Sequence, residues 1–233
     1  MKGRINRPDT NGRSCLPRIG MIKIGYKNDK GYPQSVDYFI PNGKYKKLFT
    51  DVYGDKPSTI QIIFPDDDAT KVCNERYEYR DDKGALVAYG DGETFNVFNG
   101  KTYSEYTISK HPDLLKRIAE KNPNSSVKKG EDGWSVVLSL KFVIPLIRGV
   151  VGVWEFITKG TESTIPQITG VFDKVLEERG MCRGIVFDLS VQFATSQKPN
   201  TKSRYPVVSL IPNESQENIN RIREALKPIK MLE

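Results

Sequence analysis

The chain has 233 residues and carries 36 Lys and Arg against 29 Asp and Glu, a formal net charge of +7. This length and a hydrophobic content of 37% are typical of a chain that buries a substantial core, which excludes a disordered or low-complexity protein. The cysteines, Cys15, Cys73 and Cys182, are far apart and without paired spacing, which argues against a disulfide framework and a Cys-based zinc site.

The positive charge is concentrated near the amino-terminal end of the chain. Residues 1–50 carry a net charge of +8 and residues 51–100 one of −6, while residues 101–150 and 151–233 carry +4 and +1. This asymmetry predicts a local surface that faces a polyanion. No apolar stretch suits a membrane span or a secretory signal, so the sequence predicts a cytoplasmic protein with no membrane partner.

Residues 1–15 are predicted to form a mobile basic arm, and residues 16–233 a single α+β domain. The alternative is two subdomains divided near 122–132, where the chain is polar and rich in Asn, Ser and Gly. Before this boundary, β-branched and aromatic runs predict strands, and apolar residues at helical spacing predict one helix. The predictions here are strands at 17–25, 35–41, 58–64, 73–79 and 85–89, then a helix at 109–121.

After the boundary the same signals predict a compact core. The predictions here are strands at 134–144 and 149–158, a helix at 163–179 that Gly180 ends, strands at 184–194 and 206–211, and an amphipathic helix at 214–226. Hairpins with a few interspersed helices favour a mainly antiparallel sheet over a doubly wound one. An OB-like barrel core with several helices is the alternative architecture.

The segment Tyr38–Tyr53 interleaves lysines with aromatic residues. Lysines contact phosphates and aromatic faces stack on unpaired bases, so this composition is typical of a single-strand binder. The alternative is that the aromatic residues are core and the lysines form a solvated edge. The predicted nucleic-acid-binding residues, including basic residues of the preceding hairpin, are Arg18, Lys23, Lys27, Lys44, Tyr45, Lys46, Lys47 and Phe49.

Signatures of catalysis are absent from the sequence. The only histidine, His111, stands beside Pro112, and no common hydrolase or phosphate-loop spacing occurs. The sequence therefore predicts no catalytic residue and no cofactor. The run Asp66, Asp67 and Asp68 is a weak candidate for Mg²⁺ or Ca²⁺, because hard cations prefer carboxylate oxygens, but an acidic turn after a strand is the favoured interpretation.

Several motifs recur in one order along the chain. They are RIGMIKIG (18–25), GYPQSVDYF (31–39), YGDKPSTIQIIFPDDD (53–68), YGDG (89–92), LSLKFVIP (138–145) and GVWEFITKGTESTIPQI (152–168). This succession resembles the phage recombination-directionality-factor-like family, and covers about two thirds of the chain. The motif residues that carry the resemblance are Tyr53, Gly54, Asp55, Lys56, Pro57, Gly90, Asp91, Gly92, Gly152, Trp154, Thr158 and Ser163.

The resemblance implies a phage or mobile-element protein that binds a large serine integrase and its DNA complex and redirects the integrase towards excision. Some relatives are labelled hydrolases or metal-binding proteins, a label connected with cysteines after the GDG-like turn. This chain departs from that pattern, because Tyr89 stands where a cysteine is expected and no cysteine lies between Gly92 and Trp134.

Three hypotheses follow from the sequence. The first is the recombination directionality factor, with the integrase and DNA as partners. The second is a single-stranded-DNA-binding protein of phage replication or repair, which the basic and aromatic segment supports. The third is a metal-dependent hydrolase, which the residues support least.

Overall fold

The computed structural model describes residues 16–121, 133–196 and 203–215 and the single positions 217, 220 and 224. The predicted arm (1–15), the predicted boundary (122–132) and most of the predicted helix 214–226 lie outside these residues. The strands are β1 Arg18–Lys27, β2 Pro33–Asn42, β3 Thr59–Ile63, β4 Cys73–Arg80, β5 Leu86–Gly90, β6 Thr94–Phe98, β7 Tyr103–Thr107, β8 Trp134–Phe142, β9 Val153–Thr158, β10 Val186–Thr195 and β11 Arg204–Pro212. The helices are α1 Lys46–Tyr53, α2 Ala69–Val72, α3 Leu114–Lys121 and α4 Thr164–Arg179, with a 3-10 turn at Ile108–Lys110.

The fold is α+β with a mainly antiparallel sheet, which confirms the predicted class. An eight-stranded sheet has the order β2-β1-β9-β8-β4-β5-β6-β7, and a three-stranded sheet has the order β11-β10-β3. Strands β1 and β9 pair in parallel. The alternative of an OB-like barrel was wrong for the described residues, because β2 and β7 are open edges and a barrel requires its first and last strands to pair. No helix in the described part of the chain has the length and apolar character needed to cross a membrane.

The chain divides into two compact units. The first unit comprises Met1–Asn74, Ser139–Ile157 and Glu162–Glu233, and the second comprises Glu75–Leu138 and Thr158–Thr161.

In the first unit, α4 packs against the three-stranded sheet. Phe64, Phe172 and Phe187 are fully buried there, and the Phe64 ring meets the other two edge-on at centroid distances of 5.0 and 5.2 Å. Such edge-to-face pairs add to the burial of the large side chains. Gly180 ends α4 in the left-handed conformation and its N–H bonds Leu176 O, as the sequence predicted.

In the second unit, the antiparallel strands β5, β6 and β7 continue the meander that β4 begins, and α3 covers one face of it. The core between them contains Tyr79, Ala88, Phe95, Leu114, Ile118 and Trp134. Trp134 makes edge-on contacts with Tyr79 and Phe95, both at 5.2 Å between centroids.

The predicted helix at 109–121 was partly wrong, because α3 begins only at Leu114. Ser109 lies in the 3-10 turn, and His111 has φ −138° and ψ 64°. A residue before proline is pushed away from helical angles, so Pro112 separates the two helical pieces instead of sitting in the first turn of one helix.

Candidate nucleic-acid interface

The basic and aromatic segment forms the end of β2, a turn and α1. Gly43 makes this turn with φ 129°, and a Cβ atom there would lie 3.1 Å from the Gly20 Cα, so the close approach of two backbones requires glycine. Lys44, Lys46 and Lys47 are exposed. The Lys44 Nζ lies 5.6 Å from the centre of the half-buried Tyr45 ring. The structure therefore brings these three predicted lysines together at the start of α1.

Helix α1 begins with an unfavourable charge arrangement. Its first turn contains Lys46 and Lys47 and no acidic residue, and its N-cap residue Tyr45 makes no side-chain cap. Unpaired N–H groups and the helix dipole already make a helix N-terminus positive, so adding lysines there costs stability. The arrangement concentrates positive potential and suits contact with phosphate groups.

Of the two predicted aromatic contacts, Tyr45 is half-buried and Phe49 lies inside the protein. Phe49 and Phe39 are both fully buried. The Phe49 ring packs 5.2 Å from the Tyr53 ring and 5.8 Å from the Trp154 ring. A nucleobase has no access to Phe49, so this residue is corrected from a predicted nucleic-acid contact to the core residue that anchors α1.

Trp154, a family-motif residue on β9, packs beneath α1 against Phe49. Gly20 on β1 leaves room for Trp154 on β9, since a Cβ atom at Gly20 would lie 2.4 Å from the indole Cζ3. Gly152 likewise permits a close approach, because its Cβ would lie 2.3 Å from the Ile19 Cγ2. The two glycines allow β1 and β9 to pair in parallel with the large indole between β1 and α1.

The YGDKP motif connects α1 to the neighbouring strands. The Tyr53 hydroxyl accepts a hydrogen bond from Gln61 N at 3.2 Å, and Gly54 ends the helix with φ 77°. Pro57 O accepts a hydrogen bond from Phe39 N at 2.8 Å. The remaining two motif residues, Asp55 and Lys56, are exposed, and the Lys56 Nζ lies 5.6 Å from the Tyr38 ring centre.

The other motif residues also have structural contacts. Gly90 allows β5 to approach β6, since its Cβ would lie 2.1 Å from Thr94 O. Asp91 Oδ1 accepts hydrogen bonds from Glu93 N and Thr94 N at 2.9 and 2.8 Å, which lowers the pKa of the carboxyl. Gly92 lies in a turn with φ 109°. The Thr158 Oγ1 accepts a hydrogen bond from Gly160 N, and Ser163 occupies the N-cap position of α4.

The basic residues of the first hairpin differ in their availability. Lys23 and Lys27 are exposed on β1. Arg18 is exposed as well, but its Nη1 donates to Glu155 Oε2 at 2.7 Å, and Ser139 Oγ donates to the other carboxylate oxygen at 2.7 Å. Because Glu155 is buried, Arg18 compensates its charge and contributes less than the free lysines to an anion-binding surface.

The three consecutive aspartates have different protein partners. Asp67 Oδ1 accepts hydrogen bonds from Cys182 N and Arg183 N, both at 2.7 Å. Asp68 caps α2 by accepting from Thr70 N at 2.9 Å, and Asp66 accepts from Asp68 N at 3.0 Å. Across the described ranges no group of three or more His, Cys, Asp and Glu side chains is placed to hold a metal ion. Asp66, Asp67 and Asp68 therefore stabilise the backbone around them by accepting its N–H groups.

Sequence reasoning missed α1 itself and the pair β6 and β7. It also missed a cluster on β4, in which the carboxylate of Glu78 is buried between Arg76 and Arg80. The signal for this cluster was present, because alternate residues of a strand face the same side and the spacing Arg-x-Glu-x-Arg places all three together.

The comparison with protein families agrees with the motifs. A model of the Gp3-like family, described as recombination directionality factor-like, matches residues 19–213. The chain belongs to this recombination directionality factor-like family. No curated protein and no solved structure matched the chain.

Proposed function

We infer that the protein has an accessory role in phage DNA recombination, because the family to which it belongs is described as recombination directionality factor-like. We propose that the protein is a recombination directionality factor, which binds a large serine integrase on its DNA and switches the integrase from integration towards excision. The family match over residues 19–213 is the observation that carries this proposal. The protein then acts in the cytoplasm of the bacterial host cell, where the integrase and its DNA sites are present.

The proposed mechanism requires no active site on this chain. An integrase bound to its sites populates several conformations, and a protein that binds one of them more tightly shifts the population towards it. The strength of the switch equals the difference in affinity for the two states. The effect of such a factor rises with its concentration until the integrase complex is fully occupied, and the factor is not consumed.

The lysines at the start of α1 support a DNA contact within this complex. Lys44, Lys46 and Lys47 are exposed, and α1 is anchored by the buried Phe49, so the lysines are presented from a fixed element. Phosphate contacts of this kind position a protein on DNA without reading its sequence. Specificity for the attachment sites then comes from the integrase.

A gel-shift titration with the integrase encoded nearby tests the partner and the DNA contact together. We expect the protein to retard integrase–attL and integrase–attR complexes further, at concentrations that do not shift the DNA alone. Replacing Lys44, Lys46 and Lys47 with Ala should weaken this additional shift and make it less sensitive to salt. Replacing the exposed Lys110, Lys116 and Lys121 of the second unit with Ala removes the same number of charges and is the matched control. Absence of the additional shift at any concentration would contradict the proposed partner.

A further inference from the structure

The meander of the second unit has an outer face, opposite its core. Arg76, Glu78 and Arg80 alternate along β4 on this face, while Tyr79 between them packs into the core against Trp134. Glu78 is only 2% exposed. Each of its oxygens accepts two hydrogen bonds from one arginine, at 3.0 and 2.7 Å from Arg76 and at 2.9 and 2.7 Å from Arg80. The cluster therefore has rigid geometry and a net charge of +1.

The two arginines retain donors that point away from Glu78. Arg80 Nη1 donates to Gly84 O at 3.0 Å. Arg76 Nη1 makes no hydrogen bond to any residue in the described ranges, and the guanidinium lies 4.8 Å over the Tyr89 ring. Bidentate pairing with Glu78 and stacking on Tyr89 fix the plane of this guanidinium before any ligand arrives. A fixed, partly exposed guanidinium with free N–H groups suits a phosphate oxygen.

Three aromatic rings continue the same face beyond Arg76. Tyr89 meets Tyr103 edge-on at 5.3 Å, and Tyr103 lies 5.5 Å from Phe98, its partner in the β6–β7 register. The Tyr103 hydroxyl donates to Leu86 O at 2.7 Å, which fixes its ring. Tyr103 is 37% exposed and Phe98 46% exposed. These two rings are therefore held in place and open to solvent.

We propose that this outer face binds single-stranded nucleic acid, with a phosphate on Arg76 and Arg80 and an unpaired base stacked on Phe98 or Tyr103. The N–H groups that the arginines turn away from Glu78 complement a phosphodiester oxygen, and the exposed rings complement a base, whose faces are available only outside a duplex. Glu105 lies opposite Asn96 in the β6–β7 register and adds a negative charge to this face, so the arginine geometry and the open rings carry the proposal, not net charge. An acidic segment of a protein would satisfy the arginines but would leave the open ring faces unexplained. This inference goes beyond the proposed action on the integrase, and it places the contact elsewhere than the Tyr38–Tyr53 segment.

Fluorescence anisotropy with labelled oligo-dT and with a duplex of matched length tests the proposal on the full chain at low salt. We expect micromolar or tighter binding of the single strand and at least tenfold weaker binding of the duplex. The double variant Phe98→Ala and Tyr103→Leu should bind oligo-dT at least tenfold more weakly. Tyr103→Phe keeps the ring and should retain affinity. Arg76→Gln should weaken binding and lower the salt slope by about one.

Controls separate this face from other surfaces and from misfolding. Tyr205→Leu removes an aromatic ring of similar exposure in the first unit and should bind like the wild type. Phe98→Leu removes the ring but keeps an apolar side chain at an exposed position. If the double variant has a lowered melting temperature, this single variant tests base stacking separately from folding. Undetectable binding of oligo-dT by the wild type, equal affinity for the duplex, or unchanged affinity of Phe98→Leu and Arg76→Gln would each overturn the proposal. Loss of the integrase gel shift in these variants without loss of oligo-dT binding would identify a protein partner and overturn it as well.

Discussion

At the scale of single residues, the close contact between Gly20 and the Trp154 ring leaves no room for a larger side chain at position 20. A Cβ atom at position 20 would lie 2.4 Å from Cζ3 and 2.6 Å from Cε3 of an indole that is only 1% exposed. Because the buried ring has nowhere to move, we expect Gly20→Ala to lower the free energy of unfolding by about 1–3 kcal/mol. Urea denaturation measures this change.

Gly170 provides the matched control for that substitution. It lies within α4, and a Cβ atom there would meet nothing within 4 Å. Alanine is the better helix former by up to about 1 kcal/mol, so Gly170→Ala should stabilise the protein slightly. Equal effects of the two substitutions would show that the Trp154 packing described for Gly20 is wrong.

Glu78 gives a pH-dependent prediction. Burial alone would raise the pKa of Glu78, but hydrogen bonds and charge from Arg76 and Arg80 outweigh it and hold the pKa below its ordinary value. A carboxyl group whose pKa is lowered in the folded state contributes stability above its unfolded-state pKa, and this stability is lost as the pH falls through the folded-state pKa. We therefore expect Glu78→Gln to be destabilising at pH 7, by about 3 kcal/mol, and the difference from wild type to shrink below about pH 4.5.

Thermal unfolding between pH 7 and pH 3 checks this expectation. Glu177→Gln on α4 is the control, since Glu177 is exposed and pairs with Lys174 at 3.3 Å. An exposed pair contributes at most about 1 kcal/mol, so this variant should follow the wild type across the range. A pH-independent difference for Glu78→Gln would contradict the charged state assigned to the cluster.

At the scale of elements, α1 shows a conflict between stability and charge. Lys46 lies in its first turn, where the helix dipole disfavours a positive side chain. We expect Lys46→Glu to stabilise the protein by about 0.5–1 kcal/mol at low salt while weakening DNA contact. Lys23→Glu makes the same charge change on β1, away from a helix terminus, and should leave the melting temperature nearly unchanged. Destabilisation by Lys46→Glu would show that the lysine has a structural role.

The elements also show what the sequence can and cannot predict. Strands such as β3 and β10 and the helix α4 were predicted well, because strand-forming residues in the strands and a clear stop at Gly180 determine them locally. Helix α1 was missed because its eight residues include only one fully buried side chain, Phe49. The partner of that side chain, Trp154, lies about a hundred residues later, so its burial depends on the parallel pairing of β1 with β9.

The predicted site likewise could be read from the sequence only where it depends on neighbouring residues and not on tertiary packing. The lysines at 44, 46 and 47 lie together because they are neighbours in sequence, and their contact with nucleic acid stays a prediction. Whether a nearby aromatic ring faces solvent or core depends on tertiary packing, and composition alone gave no answer for Phe49. The outer face of the second unit combines residues from β4, β5, β6 and β7, so it becomes visible only once their register is known.

At the scale of the whole molecule, the net charge of +7 summarises an uneven distribution. Exposed lysines such as Lys23 on β1 and Lys46 on α1 are available at the surface of the first unit, whereas charges such as Arg18 and those beside Glu78 compensate buried carboxylates. The family assignment covers residues 19–213 and so includes most of both units. Membership of this family supports an accessory role in phage recombination for the chain as a whole.

The direction of recombination is the most direct measurement of this role. Purified integrase encoded nearby is incubated with attP and attB, or with attL and attR, while the protein is titrated. The account predicts that product from attL and attR rises from background to saturation and that product from attP and attB falls over the same concentration range. If both reactions keep the rates of integrase alone at every concentration, the protein is not a directionality factor for that integrase, and the central claim is contradicted.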